Sequence, residues 1–125
     1  MRALVDTHAV LWWLGNDARL PAAARALIAE PENELLVSVA SLWEIAIKRK
    51  LGRLEVVDDL PQVIVREGFR WLAVSPAHVW AVRNLELHHR DPFDRLLVAQ
   101  ASIEGIPVIS ADPRLPVYGI DVRWT

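Results

Sequence analysis

Short apolar runs with no polar alternation recur along this chain, and each is separated from the next by a stretch with helical character. The first, Ala3-Leu-Val5, runs straight into Asp6; Leu35 to Val39, Phe69 to Val74, Pro107 to Ser110 and Ile120 to Trp124 follow it. A run of this kind suits a strand buried on both faces, as in the middle of a parallel sheet. Parallel neighbours need crossover connections, and the intervening helical stretches supply them. The expected fold class is α/β: a three-layer α/β/α sandwich around a central, mostly parallel sheet. The 125 residues are expected to form a single domain, 1–125, large enough to bury a core.

The helices between the runs carry their own punctuation. Ala9 to Leu14 is short and almost wholly apolar, closed by Gly15 and Asn16. Its Trp12 and Trp13 point about 100° apart, so one core can hardly take both, and an interface is expected there. Pro21 opens a helix through Ile28 with Arg25 facing outward. Ser41 starts another that runs to Lys50, and Gly52 stops it. Further helices are expected at about Pro61 to Glu67 and from Pro76 to about Leu85. Asp91-Pro92 reads as cap and first helical residue of a helix that Gly105 ends after Glu104.

Composition narrows the chemistry. No apolar run approaches the ~20 residues of a membrane span, and Asp6 interrupts the N-terminal run before a signal-peptide core can form. The chain has no cysteine, which fits a cytoplasmic protein and leaves only oxygen and imidazole as metal donors. The formal net charge of −2 gives no global field favouring nucleic acid, so any such contact must come from local patches. Only Lys48 and Lys50 of the 14 basic residues are lysine, and arginine is the better bidentate partner for phosphate. The cluster Lys48, Arg49, Lys50 and Arg53 is either a solvated helix end that favours cations or a phosphate contact.

Four carboxylates, Asp6, Glu44, Asp94 and Asp112, each have a local explanation. Asp6 could cap the turn after its strand, Ser41-x-x-Glu44 reads as a capping box, Asp91-x-x-Asp94 as a looser one, and Asp112 precedes a proline. The topology adds a second explanation. In a parallel sheet the strand ends lie on the same edge as the N-termini of the helices that follow them and of the helices that precede the next strand. Asp6 ends the first strand, Glu44 sits in the helix after the second, Asp94 opens the helix before the fourth, and Asp112 follows the fourth. If those strands are neighbours the acids converge. Converging carboxylates repel unless a cation or protons intervene, and an all-oxygen set suits Mg²⁺ or Mn²⁺. Such a site can activate water for in-line displacement at a phosphodiester.

At these residues the chain resembles the PIN-domain ribonucleases, and within them the VapC-type toxins of prokaryotic toxin–antitoxin pairs. The matching blocks are Leu4 to Trp13 (LVDTHAVLWW), Ser38 to Lys48 (SVASLWEIAIK), Lys50 to Leu54 (KLGRL), Asp91 to Ala101 (DPFDRLLVAQA) and Ser110 to Asp112 (SAD), in order along nearly the whole chain. The resemblance implies a PIN-like fold and a metal-dependent endoribonuclease. Asp6, Glu44, Asp94 and Asp112 would bind Mg²⁺ or Mn²⁺ and orient the attacking water, with Thr7 and Ser110 as hydroxyls beside the acids. It further implies an RNA substrate, a homodimer, and a cognate antitoxin whose tail covers the site, alone or in a larger heteromer. The Trp12-Trp13 helix would suit one of those contacts. Asp91 is kept as the cap and a supporting candidate, sharing a helix face with Asp94. His8 is expected to cap or pack, and His88 and His89 to be loop residues near the site. Lys48, Arg49, Lys50, Arg53, Arg90, Arg95 and Arg114 are candidate RNA contacts.

Two other acid-pocket architectures fail on residue type. A response-regulator receiver domain needs a lysine at a late strand end, and a haloacid-dehalogenase-like phosphatase needs an aspartate where His8 stands. The alternative of a different class is a catalytically silent module of the same fold that binds RNA or a protein without turnover.

Overall fold

In a computed structural model describing residues 1–125, the chain folds around one five-stranded sheet. The strands are β1 (Arg2–Val5), β2 (Glu34–Ser38), β3 (Arg70–Leu72), β4 (Val108–Ile109) and β5 (Val122–Arg123). Their order across the sheet is β3-β2-β1-β4-β5, and every neighbouring pair is parallel. The sheet is therefore wholly rather than mostly parallel. Six α-helices connect the strands: α1 (Thr7–Leu14), α2 (Ala22–Ala29), α3 (Val39–Lys50), α4 (Leu60–Arg66), α5 (Pro76–Ala81) and α6 (Pro92–Glu104).

The unbroken apolar runs are explained by burial on both faces. Ala3, Val5, Leu35, Val37 and Ile109 point into one core with Ala9, Val10, Ala24, Ile45 and Ile64 of the helices. Leu4, Leu36, Leu72 and Val108, offset by one residue, point into a second core with Leu97, Val98 and Ala101 of α6. Side chains alternate along a strand, so covering both faces leaves no position for a polar residue. The three layers follow directly.

Local chemistry moved several boundaries. α1 begins at Thr7, not Ala9, because Asp6 is its N-cap and accepts a hydrogen bond from the Ala9 amide (2.9 Å). α3 begins at Val39, because Ser38 takes the cap position and its Oγ accepts from the Ala40 amide (3.0 Å). Ser41 is thus the third residue of the helix and Glu44 lies in its second turn, which removes the capping box from that pair. The helix expected from Pro76 to Leu85 ends as α at Ala81 and continues as a single 3₁₀ turn, Val82–Asn84. A second 3₁₀ turn, Pro116–Tyr118, links β4 to β5. α6 falls where expected, with Asp91 as cap, Pro92 first, and Gly105 ending it at φ +66°, a conformation that favours glycine.

Two expectations about side chains are corrected. Arg25 does not face outward: it is half-buried and donates to the side chain of Asn16 and the carbonyls of Asp17 and Leu20, tying α2 to the turn before it. Trp12 and Trp13 are both half-buried against the first core rather than left for a partner. Trp12 lies between His8 and Trp124, each 5.8 Å away by ring centroid, with the Arg19 guanidinium 4.9 Å from its ring. An exposed apolar stripe lies instead on α3, where Val39, Trp43, Ile47 and Leu51 stand i, i+4 along the helix into its C-cap. No helix is long and apolar enough to cross a membrane.

Candidate active site

The central position of β1 between β2 and β4 satisfies the condition on which convergence of the acids depended. Asp6, Glu44, Asp94 and Asp112 all line one cleft of about 330 Å³, together with Thr7, His8, Trp12, Lys48, Asp91 and Arg114. Asp6 follows the central strand, Glu44 comes from α3 beyond β2, Asp94 from the first turn of α6, and Asp112 from the loop after β4. One edge of the sheet gathers residues more than a hundred positions apart.

Each acid is held by identifiable neighbours. Asp6 is buried, and while one of its oxygens caps α1 the other accepts the Ser110 hydroxyl. It caps α1 and lines the cleft at once, so its two explanations are compatible. Ser110 in turn accepts from the Asp112 amide (3.1 Å), so one hydroxyl spans two acids. Glu44 is buried and accepts from Thr7 Oγ1 (2.8 Å) and Lys48 Nζ (2.7 Å). Asp112 is held by Arg114, whose backbone amide, Nε and Nη2 contact its oxygens at 2.9, 3.1 and 3.2 Å. Asp91 points its oxygen at the Phe93 and Asp94 amides (2.8 and 3.3 Å). It is the cap of α6 and lines the same cleft.

The protonation balance reveals surplus negative charge. Burial pushes Asp94 up, and Asp91, Glu44 and Asp6 push in the same direction against the opposing pull of His89, to a pKa of about 6. Asp6 is also raised, by burial above all, despite the hydrogen bonds from Ser110 and Ala9. Burial acts on Asp112 in the same sense, but the hydrogen bonds from Arg114 and His89 outweigh it and leave that carboxyl below its ordinary value. Carboxylates held this close, with two of them reluctant to ionise, are what a divalent cation relieves. The donor set fits such an ion. Oxygens of Asp94 and Asp112 lie within 4.8 Å of each other and of a His89 ring nitrogen, and Asp6, Glu44 and Asp91 add hard carboxylate oxygens to the same cleft.

Sequence patterns alone underrate His89. It is buried at 5% exposure, and its Nε2 lies 2.9 Å from Asp94 Oδ2 and 3.1 Å from Asp112 Oδ2. In one dimension nothing separates it from the more exposed His88 beside it, since neither sits in a periodic element. Among the candidate RNA contacts, Arg95 turns inward, donating to the carbonyls of Val82, Leu85, Glu86 and His89 and to the Tyr118 hydroxyl. Lys48 pairs with Glu44, Arg49 with Asp58 and Arg114 with Asp112. Lys50, Arg53 and Arg90 are exposed and free of such pairing.

Comparison with known proteins finds relatives along nearly the whole chain. The profile of the PIN domain matches residues 3–120. Ribonuclease VapC22 of Mycobacterium tuberculosis is 32% identical over 117 residues, covering 90% of this chain and 88% of that protein. Among solved structures, the VapBC2 complex of Rickettsia felis, bound to a DNA fragment from its promoter, matches with TM-score 0.72 at 12% identity over the full length of both chains. Mycobacterium tuberculosis VapC20, described as a toxin cleaving the sarcin-ricin loop, matches with TM-score 0.66 at 21% identity, covering 98% of this chain and 99% of that one. The two structural likenesses show a shared fold.

Proposed function

The chain belongs to the PIN-domain family, and from that premise we propose that it is a metal-dependent endoribonuclease, the toxin of a toxin–antitoxin pair. The observation that carries the reading is the convergence of Asp6, Glu44, Asp94 and Asp112 on one cleft. Asp6, Asp94, Asp112 and Glu44 would hold Mg²⁺ or Mn²⁺, which supplies positive charge against the charge that develops on a phosphodiester during displacement by water. The chain's own residues do the rest. Thr7 and Lys48 fix the Glu44 carboxylate, leaving it aimed into the cleft where it can orient a water. Ser110 fixes Asp6 and, through the Asp112 amide, the loop after β4. Asp91 keeps the first turn of α6, and so Asp94, in place.

Lys50, Arg53 and Arg90 are the cations free to meet RNA phosphates, while Lys48 and Arg114 sit in the cleft itself, where they can exchange a carboxylate for a scissile phosphate. Two apolar surfaces suit protein partners. The groove lined by Leu11, Leu14, Leu54, Val56, Leu60 and Val63 is concave and fits an inserted antitoxin segment. The convex α3 stripe can pair with itself across a two-fold axis, as a homodimer requires. A cytoplasmic location follows from the reading, since RNA and antitoxin are met there.

The test is cleavage of single-stranded and structured RNA by the purified chain in Mg²⁺ or Mn²⁺, with Asp6→Asn alongside. Cleavage that needs the ion and drops at least about 100-fold in the variant is expected, the usual scale for removing a group that stabilises developing charge. Equal cleavage by both proteins would remove the site. RNA left intact by both, with binding retained, would favour the silent binding module.

A further inference from the structure

Building on the metal-dependent reading, we propose that His89 is a positioning residue. Its Nε2–H holds the Asp94 and Asp112 carboxylates at the separation from which both can ligate one cation, and Arg95 anchors the loop that presents it. The two carboxylates come from different segments, α6 and the loop after β4, and no covalent or backbone link sets their spacing. One ring nitrogen touches an oxygen of each, at 2.9 and 3.1 Å. The opposite nitrogen, Nδ1, accepts the Asp91 backbone N–H at 3.1 Å. An acceptor at Nδ1 places the proton on Nε2, so the ring faces the acids as a donor. A single donor shared by two like charges draws together groups that would otherwise splay.

The loop carrying His89 has no helix or strand of its own. It is pinned by Arg95, whose guanidinium donates to the carbonyls of Val82, Leu85, Glu86 and His89 and to the Tyr118 hydroxyl. Arg95 pairs with no carboxylate. All of its polar contacts serve the 82–90 segment and the 3₁₀ turn that Tyr118 ends, against which His88 also packs edge-on at 5.0 Å. A buried histidine serving only as filler would need neither two acidic partners from the cleft nor a charged anchor for its loop.

Mn²⁺ affinity, read from the free-ion signal in electron paramagnetic resonance, tests this on the full chain. The proteins are wild type, His89→Gln, His89→Leu, Arg95→Met and Asp6→Asn. His89→Leu is expected to bind Mn²⁺ about 10- to 100-fold more weakly, the range found when a hydrogen-bonding partner behind a metal site is removed. His89→Gln, which keeps an N–H donor, should restore most of the affinity. Arg95→Met, with His89 still present, should weaken binding in the same direction. Cleavage by His89→Leu should need correspondingly more Mn²⁺ for half-maximal rate while approaching the wild-type rate at saturation, a split that a general loss of structure would not give. If His89→Leu does not fold, the Gln and Met variants carry the test, and wild-type affinity in Arg95→Met then overturns the role. Unchanged or tighter binding in a folded His89→Leu overturns it as well, as does nitrogen hyperfine coupling that makes His89 a direct ligand. Failure of the wild type itself to bind Mn²⁺ overturns the metal-dependent reading, and this inference with it.

Discussion

At the scale of single residues, the cleft trades stability for charge. Asp94 carries the clearest cost: burial and three neighbouring acids raise its pKa from an ordinary 3.8 to about 6. A carboxyl whose pKa is raised on folding binds its proton more tightly in the native state than in the unfolded one. Its effect on stability is absent below about pH 4, grows unfavourable as pH rises towards 6, and is fully present above that. Asp94→Asn is therefore expected to melt at a temperature close to wild type at pH 4 and above it at pH 7 when both are free of metal, while losing cleavage. Thermal unfolding in a chelator across that range measures the difference, and a gap that stays constant or narrows with pH would contradict the assignment. Added Mg²⁺ should raise the wild-type melting temperature more at pH 7 than at pH 5, because protonated Asp94 is a poor ligand. Stabilising variants with lost function are expected where a site stores repulsion.

At the scale of elements, caps and cleft-lining acids coincide because both belong at helix N-termini on the strand-end edge of a parallel sheet. Asp6 caps α1 and Asp91 caps α6, and both line the cleft. Asp91→Ala removes the acceptor for the Phe93 and Asp94 amides and is expected to cost about 1 kcal/mol, the usual value for removing a cap. Urea denaturation checks this, and cleavage should fall as well, since the first turn of α6 carries Asp94. A variant as stable as wild type would show that the amides find other partners. Asp91 and Gly105 made α6 legible residue by residue, because a proline at the first position and a glycine after the last leave little freedom. The start of α3 was less legible. Ser38 and Ser41 offer similar hydroxyls, and the end of β2 at Ser38, set by pairing with β1 and β3, decided between them.

At the scale of the whole molecule, Lys50, Arg53 and Arg90 and the apolar stripe of α3 stay exposed. Reversing the free cations, Lys50→Glu with Arg53→Glu, should weaken RNA binding and lower its dependence on salt by about one unit of log–log slope for each phosphate left without its cation. Filter binding at several salt concentrations reads both, and an unchanged slope would remove the pair from the RNA surface. Trp43 is 62% exposed at the centre of the α3 stripe. If the proposed homodimer pairs through α3, Trp43→Glu should convert it to a monomer in light scattering while leaving the fold intact, and a dimer that survives the change would move the interface to another face.

Legible in the sequence were the fold class, the number and order of the strands along the chain, the six helices to within a few residues, and the acids at the strand–helix junctions. All of these are written in local patterns: apolar runs, prolines and glycines at fixed offsets, and acids at the junctions of strand and helix. That β1 lies between β2 and β4 is a property of the folded sheet, and it brings four acids with separate local explanations into one cleft. The tertiary structure also decided the fates of single side chains in irregular segments and at element ends. Arg95 turned inward to bind carbonyls, the tryptophans of α1 found cover in their own core, and His89 came to rest between Asp94 and Asp112. The physical reason is that a loop residue has no period to fix its direction. Its environment is set by whichever distant segments pack against it, and His89 became part of the site only when α6 and β4 brought two acids to the same nitrogen.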